Sequence, residues 1–282
     1  MVSEGHPQRI APFVFPQRYE LPLGPSPAAP REARFLLGED LALFDKGMNL
    51  ELLIVRESRG SRHRTNALAA LLSLWSRSFS YRADACSLMA RGGYVSCLPL
   101  LRAACDCIGA QRGLAEGGAQ EFTEWLDSMG QSREHAALEL GLGRYRAGSR
   151  LAADDRLGAC YRVVTELSMT HFGSTILQVA PEADLQKIRI GFADSSFHLG
   201  WAQLIIGWLL VLTSAQLQTV AEAGDTFAVS PETRAQLAAL SSEVEKSLAN
   251  PDRCRVEELG DGRYLFHNIR RQPGGAPQRL LL

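Results

Sequence analysis

Six polar side chains that carry charge or exchange protons lie on the apolar faces of predicted helices. Apolar residues three or four apart mark the side of a helix that packs inward. A polar group on that side needs either a buried partner or contact with water. The six residues are Arg82, Arg102, Asp106, His171, Asp194 and His198.

Arg102 and Asp106 belong to the segment around which the chain is organised, Ser96 to Glu116. Its apolar stripe predicts a helix, with Ser96 as its cap and Pro99 in its first turn; the stripe is Tyr94, Leu98, Leu101, Cys105 and Ile108. The four-residue spacing lets Arg102 and Asp106 form an ion pair beside this stripe. The pair lies either on an exposed flank or, as we favour, buried and reaching towards His171.

Asp194 and His198 are also four residues apart, on the predicted line of Trp201, Ile205 and Trp208. A carboxylate and an imidazole at that spacing could hold one transition metal, or the carboxylate could orient the imidazole for acid–base catalysis. The alternative is a local hydrogen bond where a buried helix begins. The repeated Glu residues of di-metal bundles are missing from the long predicted helices.

Two further predicted helices carry polar side chains on their apolar faces. Arg82 interrupts the stripe of the second predicted helix, so it either extends to the end of the bundle or is a buried cation with a carboxylate partner. Ser168 and His171 make the end of a later stripe polar. We predict Arg82, Arg102, Asp106, Ser168 and His171 as ligand-binding residues, with Arg102, Asp106 and His171 as catalytic candidates and Asp194 and His198 as metal candidates.

Composition and motifs exclude several classes of function. The chain has 282 residues, 46% of them hydrophobic, and a net charge of −1, which offers no strong nucleic-acid signal. Of the 30 lysine and arginine residues, only Lys46, Lys187 and Lys246 are lysine. The phosphate-loop, dinucleotide, zinc-protease and serine-hydrolase motifs are missing. Six irregularly spaced cysteines and a polar start to the sequence predict free thiols and a cytoplasmic protein without a signal peptide.

The order of predicted elements indicates a mainly α protein. Residues 1–38 form an extended, proline-rich arm, residues 39–250 a bundle of seven or eight helices, and residues 251–282 a β-hairpin with a flexible tail. The predicted helices span 39–56, 65–90, 96–116, 120–129, 132–146, 155–171, 183–222 and 230–248, with Gly117-Gly118 ending the third. Residues 195–221 are apolar enough for either a buried central helix or a membrane span, and their polar side chains favour the buried helix.

The segments GGYVSCLPLLRAACDCIGAQRGLAE, EFTEWL and YRVVTELSMTHFGS together resemble a group of bacterial all-helical proteins known only as a domain of unknown function. The shared features are a Leu-Leu-Arg stretch, an acidic residue four positions later, and a later Leu-Ser…His segment. Arg102, Asp106, Ser168 and His171 are the matching positions. The group more often has Glu where this chain has Asp106, and the resemblance implies no activity.

Such bundles are more remotely similar to HEPN-type domains, some of which are RNases with an Arg, four to six residues and a His. Only Arg56 and His63 have this spacing, with Gly60 between them, and chance alone explains one such match. We therefore expect a binding or interaction module of an accessory or defence type, without a cofactor, that binds a protein partner or small ligand and could form a homo-oligomer. The alternative is a metal-dependent, oxidase-like enzyme or a HEPN-like nuclease.

Overall fold

The computed structural model describes residues 9–10, 28–58, 66–127, 151, 155–180, 187–223, 226–227, 229–260 and 262–282, without side chains at 9–10, 66–69, 116–127, 155 and 187. The described residues form eight helices: α1 (Ala29–Leu36), α2 (Gly38–Ser58), α3 (Asn66–Ala90), α4 (Tyr94–Asp127), α5 (Asp155–Ser168), α6 (Phe172–Val179), α7 (Leu199–Glu222) and α8 (Pro231–Leu248). The strands are β1 (Arg9–Ile10), β2 (Lys187–Ile188), β3 (Arg255–Glu258), β4 (Tyr264–Ile269) and β5 (Gln278–Leu281). The prediction of a mainly α fold with a small C-terminal sheet is confirmed.

The apolar helix α7 forms the centre of the bundle. It contacts α2, α3, α4, α5 and α8, which explains why it is apolar on all sides. Among the described helices it is the one whose length and hydropathy would also suit a membrane span, and 78% of its most apolar stretch is buried inside the protein. Its burial agrees with the buried-helix alternative.

The helix α4 carries the predicted stripe, and all five stripe residues are buried. Its boundaries differ from the prediction because it begins at Tyr94 and continues without a break to Asp127. Ser96 therefore lies inside the helix instead of capping it, and Pro99 lies beyond the first turn. The glycines at 117 and 118 do not end α4, so the separate helix predicted at 120–129 is wrong.

Two other predicted boundaries are wrong. The arm is not extended through residue 38, because Pro30 stands in the first turn of α1, where its missing N–H costs no helical bond. The last long helix begins at Leu199 and not near residue 183, where the chain instead contains β2. Strand β2 pairs in parallel with β1 of the arm. The helix predicted at 132–146 lies outside the described residues.

The C-terminal segment forms a three-stranded antiparallel sheet in the order β3-β4-β5. The predicted hairpin corresponds to β3 and β4, where Val256 pairs with Phe266. The tail, predicted to be flexible unless its terminal leucines dock, is docked, because β5 pairs with β4, for example Leu280 with Phe266. Backbone N–H groups of Leu199 and Gly200 donate to carbonyls just after β4, which joins the sheet to the start of α7.

Candidate functional site

A cleft with a volume of about 970 Å³ opens between the start of α2 and the end of α8. Two other cavities, beside α7 and α8, hold about 380 and 400 Å³. We name the larger opening the Asp40 cleft, after a buried carboxylate in its lining. One wall is apolar and comes from α1 and α2, and the other wall is polar and comes from α8.

Four residues form the polar floor of the Asp40 cleft, of which Asp40 and Arg253 are buried and Ser247 and Gln203 are partly buried. Arg253 Nη1 donates to Asp40 Oδ2 at 2.8 Å and to Ser247 Oγ at 3.2 Å. The Ser247 hydroxyl donates to Asp40 Oδ1 at 2.6 Å, and Arg253 Nη2 donates to the Gln203 carbonyl at 3.1 Å. Asp40 and Arg253 are only 8% and 7% exposed, so water screens their attraction little. The floor is therefore held rigidly.

The turn after α8 positions Arg253. Helix α8 ends at Leu248, and the Asn250 carbonyl then accepts a hydrogen bond from the Arg253 N–H at 3.2 Å. Asn250 Oδ1 accepts from the backbone N–H of Asp252 at 3.0 Å. The Asn268 amide of β4 donates to the Arg253 carbonyl at 3.3 Å. The sheet thus holds the turn so that the guanidinium reaches Asp40.

Helical spacing produces the two walls. Glu243 and Lys246 are three residues apart, so they share one face of α8, and Asn250 follows in the turn after this helix. On the other side, Phe35 stands at the end of α1 with 87% of its surface exposed. Lys46 of α2 bonds Glu243 across the cleft at 2.7 Å, with both side chains about half exposed.

The polar centre of the bundle is a second buried ion pair, between Glu51 of α2 and Arg82 of α3. Arg82 Nη1 and Nη2 donate to the two Glu51 carboxylate oxygens at 2.5 and 2.8 Å. Trp75 Nε1 also donates to Glu51, at 2.5 Å, and Arg82 donates to Thr213 Oγ1 of α7 and to the Ser78 carbonyl, both at 3.1 Å. Both charged side chains are fully buried.

Of the two alternatives for Arg82, the structure has the buried cation with a carboxylate partner. Its guanidinium is enclosed by α2, α3 and α7, so it joins helices instead of meeting a ligand. Arg102 and Asp106 are half-buried on α4, and no salt bridge joins them among the described residues. The predicted buried Arg102–Asp106 pair is therefore wrong.

Ser168 and His171 form local hydrogen bonds. The Ser168 hydroxyl donates to the Val164 carbonyl one turn back in α5, at 2.6 Å. His171 is exposed and lies beyond the end of α5, where its Nδ1 caps α6 by accepting from the Ser174 N–H at 3.2 Å. Its Nε2 lies 2.5 Å from Glu166 Oε1. Both ring nitrogens are engaged, so the predicted contact of His171 with Arg102 and Asp106 is not formed.

Asp194 lies in the irregular segment before α7, so the prediction that it shares a helical line with His198 is wrong. Its Oδ1 accepts from the backbone N–H of Ser196 at 2.9 Å, and its Oδ2 lies 3.0 Å from Arg271 Nη2. Burial raises the pKa of Asp194, but the Ser196 hydrogen bonds and the Arg271 charge outweigh this and lower it. Among the described residues no three His, Cys, Asp or Glu side chains are placed to bind a metal.

His198 is the N-terminal cap of α7 and is 4% exposed. Its Nδ1 accepts from the Trp201 N–H at 3.4 Å, and its own backbone N–H donates to the Tyr94 hydroxyl at 2.9 Å. Burial, together with the positive charge of Arg271, lowers the pKa of His198 to about 4. The ring is therefore neutral at pH 7, as the local hydrogen-bond alternative implies.

The sequence reasoning missed Asp40, Glu51 and Arg253. A signal existed for Glu51, because it continues the line of Phe44 and Met48 on α2, and a carboxylate on an apolar line needs a partner. Asp40 stands four residues before Phe44 on the same side. Arg253 gave no such signal, because it lies in a turn without periodicity.

Comparison with protein-family models, with curated proteins and with solved structures finds no match to the chain. The resemblance to a bacterial domain of unknown function and the remote similarity to HEPN-type bundles therefore stay predictions.

Proposed function

We propose that this protein is a binding module whose Asp40 cleft holds a small amphipathic molecule. The observation that supports this function is the combination of an apolar wall and a rigid polar floor in one opening of about 970 Å³. Small-molecule sites are usually concave, mostly apolar and preformed, with a few fixed polar groups that orient the ligand. A cytoplasmic location and an accessory or defence role remain predictions.

The bonding of the floor fits a role in holding the shape of the cleft better than a role in proton transfer. Both oxygens of Asp40 already accept hydrogen bonds, one from Arg253 and one from Ser247. A general base needs an oxygen within reach of the proton that it removes. In the proposed complex this ion pair holds the shape of the cleft, while the ligand contacts the walls.

Phe35 is the apolar contact that we expect to contribute most to binding. Its ring is 87% exposed, so it adds little to the stability of the unliganded fold. Covering part of an aromatic side chain removes apolar surface from water, and full burial contributes about 1.5–3 kcal/mol. A ligand that covers about half of this ring would lose about 1 kcal/mol, or about fivefold in affinity, when the ring is removed.

Fluorescence titration with N-phenylnaphthylamine, an uncharged aromatic probe that brightens in apolar surroundings, tests this function. We expect saturable binding at one site, weakened about fivefold or more by Phe35→Ser. The matched control is Phe192→Ser, which removes another exposed phenylalanine, 61% accessible and outside the cleft lining. Binding that fails to saturate, or that responds equally to both substitutions, would contradict a ligand in the Asp40 cleft.

A further inference from the structure

The charges that line the Asp40 cleft are mostly neutralised within it. Asp40 pairs with Arg253 at 2.8 Å, and Lys46 pairs with Glu243 at 2.7 Å. Of the remaining two charged lining residues, Glu39 lies in the first turn of α2, where the helix dipole favours a negative charge. Lys246 is exposed on the polar wall and has no ion-pair partner among the described residues.

Asn250 supplies a second donor on the same wall. It lies in the turn after α8, four residues beyond Lys246 in the sequence, and both residues line the cleft. Its Oδ1 accepts from the Asp252 N–H, which fixes the orientation of the amide. The Asn250 Nδ2 group then has no acceptor among the residues that the structure describes. The cleft lining therefore includes one ammonium group and one amide N–H₂ group that can donate to a ligand.

The choice of lysine at these positions also suits an anion that enters from solvent. Two of the three lysines in the chain, Lys46 and Lys246, line this cleft, although arginine is used almost everywhere else. A lysine ammonium is a compact charge on a flexible stem, with three donors that rotate towards an incoming oxygen. Lys46 is already held by Glu243, so Lys246 is the cation that remains for a ligand.

We propose that the occupant of the Asp40 cleft is a free amphipathic small molecule with one anionic group of the carboxylate or phosphate class. Its anion binds Lys246 Nζ and Asn250 Nδ2, and its apolar body packs against Phe35 and the neighbouring leucines of α1 and α2. This assignment rests on the proposed function of the cleft.

A pair of probes with the same aromatic body tests the assignment. Anilinonaphthalenesulfonate carries one anionic group, and N-phenylnaphthylamine lacks it. We expect Lys246→Gln to weaken the sulfonate about two- to fivefold, the usual range for an exposed ion pair, and to leave the uncharged probe unchanged. Asn250→Asp keeps the Oδ1 that the turn needs but replaces the donor with a negative charge, so it should weaken the sulfonate at least as much.

Arg91→Gln is the matched control, because it removes an exposed cation at a described position outside the cleft lining, and we expect no change for either probe. Added salt should weaken sulfonate binding to the parent protein more than to Lys246→Gln. If both probes bind and Lys246→Gln leaves the sulfonate affinity unchanged, the anion assignment is wrong while the cleft remains a binding site. If neither probe binds with saturation, the binding function and the assignment fail together.

Discussion

Removing one member of the buried Glu51–Arg82 pair should destabilise the protein strongly. Glu51→Met leaves the Arg82 guanidinium in a site where both side chains have no exposed surface. Arg82→Met leaves the Glu51 carboxylate there instead. A buried charge that loses its partner costs about 3–5 kcal/mol, because neither water nor another ion replaces the lost bonds.

The double variant Glu51→Met/Arg82→Met should cost much less than the two single losses combined. It removes both charges together, and such replacement by apolar residues of similar size is often neutral or stabilising. Three neighbouring groups still lose a charged partner, namely Trp75 Nε1, Thr213 Oγ1 and the Ser78 carbonyl, and of these Trp75 Nε1 is the donor that loses its acceptor. An unsatisfied buried donor costs about 1–3 kcal/mol, so we expect the double variant to lose at most about that amount.

Urea unfolding at pH 7, followed by far-ultraviolet circular dichroism, gives the free energy of unfolding for each variant. The matched control is Lys46→Met with Glu243→Met, which removes an ion pair of 2.7 Å whose side chains are about half exposed. That pair should contribute less than about 1 kcal/mol, because water solvates each charge when its partner is gone. Single losses at Glu51 or Arg82 as small as the control would refute a sealed ion pair at the centre of the bundle.

Two further predictions concern the packing and the titration of the same core. Gly47→Ala should cost about 1–3 kcal/mol in urea unfolding, because its Cβ would lie 2.5 Å from Thr213 Cγ2. A Cβ added at Gly113 meets no atom of the described residues within 4 Å, so Gly113→Ala should be neutral or stabilising. In the folded protein the pKa of His198 is lowered to about 4, so the ring stays neutral there, whereas in the unfolded chain it gains a proton below about pH 6.5. Protonation therefore favours the unfolded chain, and the free energy of unfolding should fall by roughly 3 kcal/mol between pH 6.5 and pH 4. His198→Asn keeps a capping oxygen and should reduce this pH dependence; equal slopes in parent and variant would contradict it.

The apolar periodicity predicted which residues face inward, but local breakers did not reliably predict where helices end. All five residues of the α4 stripe are buried, since a helix that packs against α3, α5 and α7 must present one apolar side to them. Each of the glycines at 117 and 118 destabilises the helix by only about 1 kcal/mol relative to alanine, and tertiary packing can offset this loss. The start of α8 was predicted correctly because Ser230 and Pro231 form a cap with a specific bond, from the Thr233 N–H to the Ser230 hydroxyl at 3.1 Å.

The candidate site was predicted poorly because its residues meet only through the fold. Lys46 and Lys246 are 200 positions apart in the sequence and line one cleft. The sequence predicted a catalytic or ligand-binding role for His171 and a metal-binding role for His198. In the structure both cap helices, and a ring nitrogen of each accepts a hydrogen bond from a backbone N–H. A capping residue stands at a helix boundary. Because the predicted helix began near residue 183, His198 was placed inside it and could not be recognised as the cap of α7.

Each of the two buried carboxylates of α2 forms an ion pair with an arginine, but one pair is closed off inside the bundle and the other lines an opening. Asp40 and Glu51 each bind one arginine, but their partners come from different kinds of element. Arg82 belongs to α3, and the pair is closed off further by Thr213 of α7, so no surface remains for a ligand. Arg253 comes from a turn after α8, which reaches the carboxylate without bringing α8 against the end of α1, and an opening remains above the pair. The proposed binding function therefore belongs to the ion pair that a turn completes, because the side chains of the pair completed by a helix have no exposed surface.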